Sequence, residues 1–194
     1  MKKITSLLLI LLLSGCFANE KKEDNTSTEK ITTAPQKSSS LFTLETIHGE
    51  KIHINETKGG LDFQEFKNKA VLFVFFGYRC PPCLREVPEL IALNNEKHKD
   101  LEIIALEVQG LNPEGLQDFA KRTGVNYKLI SSDNNNDFIN YIVQRANWKG
   151  NIPFLLGFDK QGVVQVVHTG GIAKEQFDKI YTALSQEDQN LTQK

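Results

Sequence analysis

Seven consecutive apolar residues, Ala70 to Phe76, are separated by three residues from Cys80-Pro81-Pro82-Cys83. A segment apolar on both faces has no side to give to water, so it is expected as a central strand covered above and below. Leu84, Val87, Leu90 and Ile91 then fall at helical spacing, which starts a helix at the cysteine pair. Two thiols in one turn, presented by a buried strand at a helix N-terminus that favours thiolate, make Cys80 and Cys83 a candidate redox site.

The rest of the domain alternates strand and helix. Leu41 to Glu45 and Lys51 to Ile54 read as two short strands joined at His48-Gly49, a hairpin. Gly59-Gly60 precedes a short helical or irregular piece around Phe63 and Phe66. Leu101 to Val108 returns to strand. Asn112-Pro113-Glu114 supplies an N-cap, a first-position proline and an early acid for a helix that stops at Gly124. Lys128 to Ser131 is a short strand, and Asp133 to Asp137 a loop and cap before a helix carrying Phe138, Ile142 and Val143. Phe154 to Phe158 and Val163 to Val167 form a hairpin around Asp159-Lys160-Gln161-Gly162. The last helix is expected to bury Phe177, Ile180, Tyr181 and Leu184. This order predicts an α/β fold, a central mixed sheet with helices on both faces.

The N-terminus has a different character. Lys2 and Lys3 precede an apolar core from Leu7 to Leu13, too short for the ~20 residues of a membrane span and read as an export signal. Leu13-Ser14-Gly15-Cys16 resembles the bacterial lipobox, which implies cleavage before Cys16 and lipidation of that residue. Cleavage elsewhere, as in an ordinary signal peptide, is the plainer alternative, and on either reading the protein leaves the cytoplasm. Asn19 to Ser40 is polar with four acidic and four basic residues, a tether with a reach of roughly 25 Å. The expected organisation is a lipoprotein-type signal peptide over 1–15, lipidated cysteine and linker over 16–40, one domain over 41–186 and a polar tail over 187–194.

A net charge of -1 without a basic cluster argues against nucleic acid as a partner. Three cysteines do not make a disulfide-stapled scaffold, so in an oxidising compartment the Cys80/Cys83 pair reads as a working site. The alternatives for the pair are a structural disulfide or half of a zinc site. Zinc lacks a second Cys-x-x-Cys and a suitably spaced His pair, and His48, His53, His98 and His168 are scattered.

Cys-x-x-Cys after an apolar strand, Pro88 five residues beyond it, and Ile152-Pro153 opening an apolar hairpin before the final helix together resemble the thioredoxin fold. The early hairpin and the helix and strand between Asn112 and Ser131 are similar to the TlpA/ResA/CcmG group of exported, membrane-tethered reductases. The resemblance covers Leu41 to Leu184. It implies a thioredoxin-like domain with an N-terminal β-hairpin and a central helix-strand insertion. It also implies protein-disulfide oxidoreductase activity with no cofactor beyond a redox-active Cys80–Cys83 disulfide. The implied partners are a membrane electron donor of the CcdA or DsbD type and exported thiol proteins such as apocytochrome c, served by a monomer anchored to a membrane through lipid.

Cys80, exposed at the helix start, is the expected nucleophile, and Cys83, one turn in and more buried, the resolving thiol. Pro81 and Pro82 lack backbone donors and stiffen the loop. Glu86 follows Cys83 by three positions and shares its helical face. The resemblance implies a proton relay for Glu86; a first-turn acid favoured by the helix dipole is the equal alternative. Glu107 is a second, weaker proton-carrier candidate. Pro153 matches the family's cis-proline, which implies that Ile152 offers its backbone to an extended substrate segment.

The chain departs from the thioredoxin pattern in two places. Tyr78-Arg79 stands where Trp is frequent before the first cysteine, and Arg79 is either a thiolate stabiliser or a solvated residue. Val74 stands where cytoplasmic thioredoxins carry a buried acid. Trp148 is read as a core aromatic rather than the border of a substrate groove. The expected activity is that of an extracytoplasmic disulfide reductase. The alternatives are a DsbA-like oxidase or isomerase and, from another class, a copper metallochaperone, for which the wider Cys-x-x-x-Cys and partner histidine of Sco-type carriers are missing.

Overall fold

The computed structural model describes residues 41–186; the segments read as export signal and tether, Cys16, and the 187–194 tail lie outside the described residues. Eight strands and four α-helices follow in the order β1 (Phe42–Glu45), β2 (Lys51–Glu56), β3 (Leu61–Phe63), β4 (Ala70–Phe76), α1 (Pro81–Lys97), β5 (Leu101–Glu107), α2 (Pro113–Thr123), β6 (Lys128–Ser131), α3 (Asn136–Arg145), β7 (Phe154–Phe158), β8 (Val164–Thr169) and α4 (Lys174–Ser185).

The main sheet runs β6-β5-β4-β7-β8, so the all-apolar β4 sits in the middle, as its composition requires. It pairs in parallel with β5 and antiparallel with β7, which makes the sheet mixed. Every residue of β4 is buried. Its period of two sends Ala70, Leu72, Val74 and Phe76 into a core with α1, α2 and α4. Val71, Phe73 and Phe75 enter a second core with α3 and the N-terminal strands.

Helix punctuation follows the expected chemistry. Asn112 accepts a hydrogen bond from Gly115 N–H at 3.0 Å, Pro113 opens α2, and Gly124 ends it at φ +74°. At α4 the expectation needs correction: Phe177 and Leu184 are buried, while Ile180 and Tyr181 are only half-buried against the core. Helical spacing placed the four on one stripe, but only its centre reaches the sheet.

The piece around Phe63 also differs from expectation. Leu61–Phe63 is a third strand, antiparallel to β2, followed by a 3-10 turn over Gln64–Phe66. Three residues are too few to display a strand period, and what holds this strand is distant. Leu61 N–H donates to Gly162 O at 2.9 Å, and Val164 N–H donates to Gly59 O at 3.0 Å. Glycine makes the approach possible. A Cβ on Gly162, which has φ +79°, would lie 2.2 Å from Leu61 O. We therefore expect Gly162→Ala to destabilise the domain by about 1–3 kcal/mol in urea unfolding at unchanged m-value. An unmoved midpoint would show that the two backbones need not approach.

Because β4, β5 and β6 are parallel, Phe76, Glu107 and Ser131 lie side by side at one end of the sheet. Phe154, the first residue of the antiparallel β7, pairs with Phe75 at the same end. The loops after β4, β5 and β6 and before β7 therefore converge there, the end at which open α/β sheets place their sites. No helix among the described residues is long and apolar enough to cross a membrane.

Candidate active site

Cys80 and Cys83 form a disulfide with Cα atoms 5.3 Å apart. Cys80 is the N-cap of α1, and Pro81 and Pro82 occupy the first two helical positions. Prolines there suit the helix, since the N–H groups they lack would have had no intrahelical partner. The consequence for the sulfur is specific. With two donors removed, Cys83 N–H is the first helical donor left to face Cys80 Sγ, at 3.4 Å. Cys80 N–H is taken by Gly77 O, and Leu84 N–H by Cys80 O.

The expectation of an exposed Cys80 is corrected: it is 6 % exposed against 3 % for Cys83. The half-buried Ile152 covers it, with its carbonyl oxygen 3.8 Å from Cys80 Sγ. The Ile152–Pro153 bond is cis, and Pro153 O accepts from Gly170 N–H at 2.8 Å. The tertiary fold thus brings Cys80 and Ile152 together across 72 residues of chain.

Glu86 is 3 % exposed and accepts a hydrogen bond from Ile172 N–H at 2.7 Å. Burial raises its pKa to about 7, against the opposing pull of the Ile172 N–H and the Arg85 guanidinium. The first-turn reading of this acid is overturned. The first turn of α1 contains no acid, and Glu86 is the sixth helical residue, turned inward with Cys83 and Val87. A carboxyl poised near neutrality, on the same buried helical face as Cys83, suits proton exchange.

Other candidates take structural places. Trp148 is in the core, stacked on Phe154 at 5.2 Å between ring centroids, and its Nε1–H donates to Asn151 O at 2.8 Å. Arg79 is exposed, its guanidinium 4.8 Å from the Tyr78 ring centroid. Pro88 lies inside α1, which continues through it to Lys97.

Glu107 is fully buried at the end of β5, and both of its oxygens are engaged. Oε1 accepts from Tyr78 N–H at 3.3 Å and Gln109 N–H at 2.9 Å, and Oε2 from Leu111 N–H at 2.8 Å. Such a carboxylate binds loops and is badly placed to ferry protons. Gln109 and Ile172 went unnoticed in the sequence reading. Their contacts, Gln109 Oε1 to Arg79 N–H at 2.9 Å and Ile172 N–H to Glu86, span 30 and 86 residues, so no local pattern announces them.

Two cavities of about 310 and 420 Å³ open elsewhere, one lined by Glu56, Tyr141 and Arg145, the other by Thr46, Gln117 and Asn135. Neither is lined by a cysteine.

A match to the Redoxin family spans residues 44–184. The thiol-disulfide oxidoreductase ResA of Halalkalibacterium halodurans is 28% identical over 148 residues, covering 75% of this chain and 74% of its own length. ResA of Geobacillus kaustophilus is 27% identical over 176 residues, 90% of each chain. The crystal structure of a secreted disulfide oxidoreductase from Mycobacterium tuberculosis superposes with a TM-score of 0.56 at 15% identity, covering 74% of this chain and 96% of that one. The chain belongs to the Redoxin family, and its sheet order, its cysteine pair and these relatives together make it a thioredoxin-like thiol-disulfide oxidoreductase of the TlpA/ResA type.

Proposed function

We propose that this protein works outside the cytoplasm as a protein disulfide reductase, held to a membrane through lipid on Cys16. The observation that carries the redox reading is the Cys80–Cys83 disulfide capping α1 beside Ile152-Pro153, with Glu86 buried behind it. In the reduced protein, Cys80 thiolate attacks one sulfur of a client disulfide and expels the other as thiolate. Cys83, losing its proton to Glu86, attacks Cys80 Sγ and releases the reduced client. Two electrons have passed to the client, and the pair is left oxidised with no further cofactor. Ile152 offers its backbone to the extended client segment, and Pro81 and Pro82 hold the two sulfurs close.

A membrane dithiol donor of the CcdA or DsbD type then reduces the disulfide. Exported thiol proteins such as apocytochrome c are the clients, which would place the protein in cytochrome c maturation. The names of the ResA relatives support the exchange chemistry, and the secreted mycobacterial protein supports a place outside the cytoplasm. Equilibration of the pair against glutathione tests the direction. The potential is expected nearer the thioredoxin value of about -270 mV than the DsbA value of about -120 mV. A value at the DsbA end would replace the reductase with an oxidase.

A further inference from the structure

The Pro-Pro dipeptide leaves Cys80 dependent on one helical donor, Cys83 N–H. In a helix start with ordinary residues at the first two positions, several N–H groups would share a thiolate, and a small displacement of the sulfur would exchange one donor for another. Here displacement removes the donor. The loop from Gly77 to Arg79, which delivers Cys80, must therefore be held firmly, and β5 carries the groups that hold it.

Glu107 accepts from Tyr78 N–H on that loop and from Gln109 and Leu111 N–H on the loop after β5, so one carboxylate ties the two together. Gln109 then folds back and accepts from Arg79 N–H, the residue next to Cys80. Its side chain lies so close over Gly77 that a Cβ there would stand 2.3 Å from Gln109 Cδ. The second loop is braced in turn, because Ser131 Oγ–H donates to Leu111 O at 2.9 Å.

We infer that Glu107 and Gln109 are positioning residues for the nucleophile, a clamp from the end of β5 that keeps Cys80 sulfur on the Cys83 N–H. The inference rests on the reading of Cys80 as the attacking thiol. Its mechanism is geometric: Glu107 meets the loop through Tyr78 N–H, two residues before Cys80, and Gln109 through Arg79 N–H, one residue before it. The charged and titratable groups around Cys80 are Tyr78 and Arg79 on its own loop, Cys83, Arg85 and Glu86 on α1, and Glu107 on β5. The Ile152–Pro153 and Gly170–Ile172 segments bring none.

The test is the pH profile of iodoacetamide alkylation of the fully reduced, full-length chain, with the modified cysteine identified by mass spectrometry. Gln109→Ala changes an exposed residue and keeps Glu107 in place; Glu107→Gln keeps the shape of the side chain but removes one acceptor oxygen. Both are expected to move the Cys80 profile to higher pH, Glu107→Gln by about one unit, with alkylation about tenfold slower below the wild-type pKa. Gly157→Ala, which crowds Leu184 at 2.9 Å, serves as a destabilised control whose profile stays put.

Unmoved profiles in both variants, or the same shift in the control, would overturn the clamp while leaving Cys80 as nucleophile. A shift to lower pH would also overturn it, since the carboxylate would then act through its charge and not through the loop. If Glu107→Gln does not fold, the Gln109→Ala profile decides. Modification of Cys83 before Cys80 in the unaltered protein would remove the underlying assignment, and the clamp with it.

Discussion

Cys83→Ser is expected to abolish catalytic turnover of protein disulfides and to accumulate client adducts joined through Cys80. Cys80 stands at the N-cap, where Cys83 N–H faces its sulfur and the Ile152 carbonyl borders it. Attack on a client disulfide needs only that sulfur. Release needs a second thiol, and among the described residues the only other sulfhydryl source is Cys83. Serine at 83 leaves the first half-reaction and removes the second, so nearly one client per protein should remain attached. Cys80→Ser should form no adducts and show no turnover. Mass spectrometry of non-reduced adducts from both variants checks this and identifies the client. Adducts through Cys83 in the Cys80→Ser protein would reverse the two roles.

Glu86→Gln is expected to change both stability and resolution. Glu86 has a folded-state pKa of about 7 against an ordinary 4.5, so between those values the folded protein binds more protons than the unfolded chain. Stability therefore falls as pH rises through this window, and the loss attributable to Glu86 is complete above about pH 8. A shift of this size corresponds to about 3 kcal/mol. Glutamine carries no proton to lose and keeps an oxygen for the Ile172 N–H. The oxidised variant should thus be more stable than wild type at pH 8, and the difference should vanish near pH 4. Denaturant midpoints across that range measure it; a constant difference would show that Glu86 does not titrate there. In the reduced protein the same change removes the acceptor for the Cys83 proton. Mixed disulfides should then persist about 10²-fold longer in quenched-flow traces.

The architecture was legible where local chemistry speaks. The unbroken apolar run of β4 announced a central strand, and Asn112, Pro113 and Gly124 marked both ends of α2, because caps and breakers act within a few residues of themselves. β3 was missed because three residues show no period and its partners, β2 and the Gly162 turn, are supplied by folding. Glu86 was singled out from its spacing to Cys83, but its depth and its bond to Ile172 N–H were not readable, since that partner lies 86 residues away.

The same division runs through the active site. Cys80 and Cys83 are three residues apart at a helix start, so covalent connectivity and helical geometry alone bring the two sulfurs within bonding reach. Proline at 81 and 82 likewise strips its own backbone donors whatever surrounds it. The surroundings of that pair came from tertiary packing. Sheet order laid Glu107 beside Phe76 and aimed it at the loop before Cys80, the antiparallel β7 brought Ile152 onto the sulfur, and the turn into α4 covered Glu86. Burial and long-range hydrogen bonds set how readily a thiol or carboxyl loses its proton, and these exist only once the distant strands have paired.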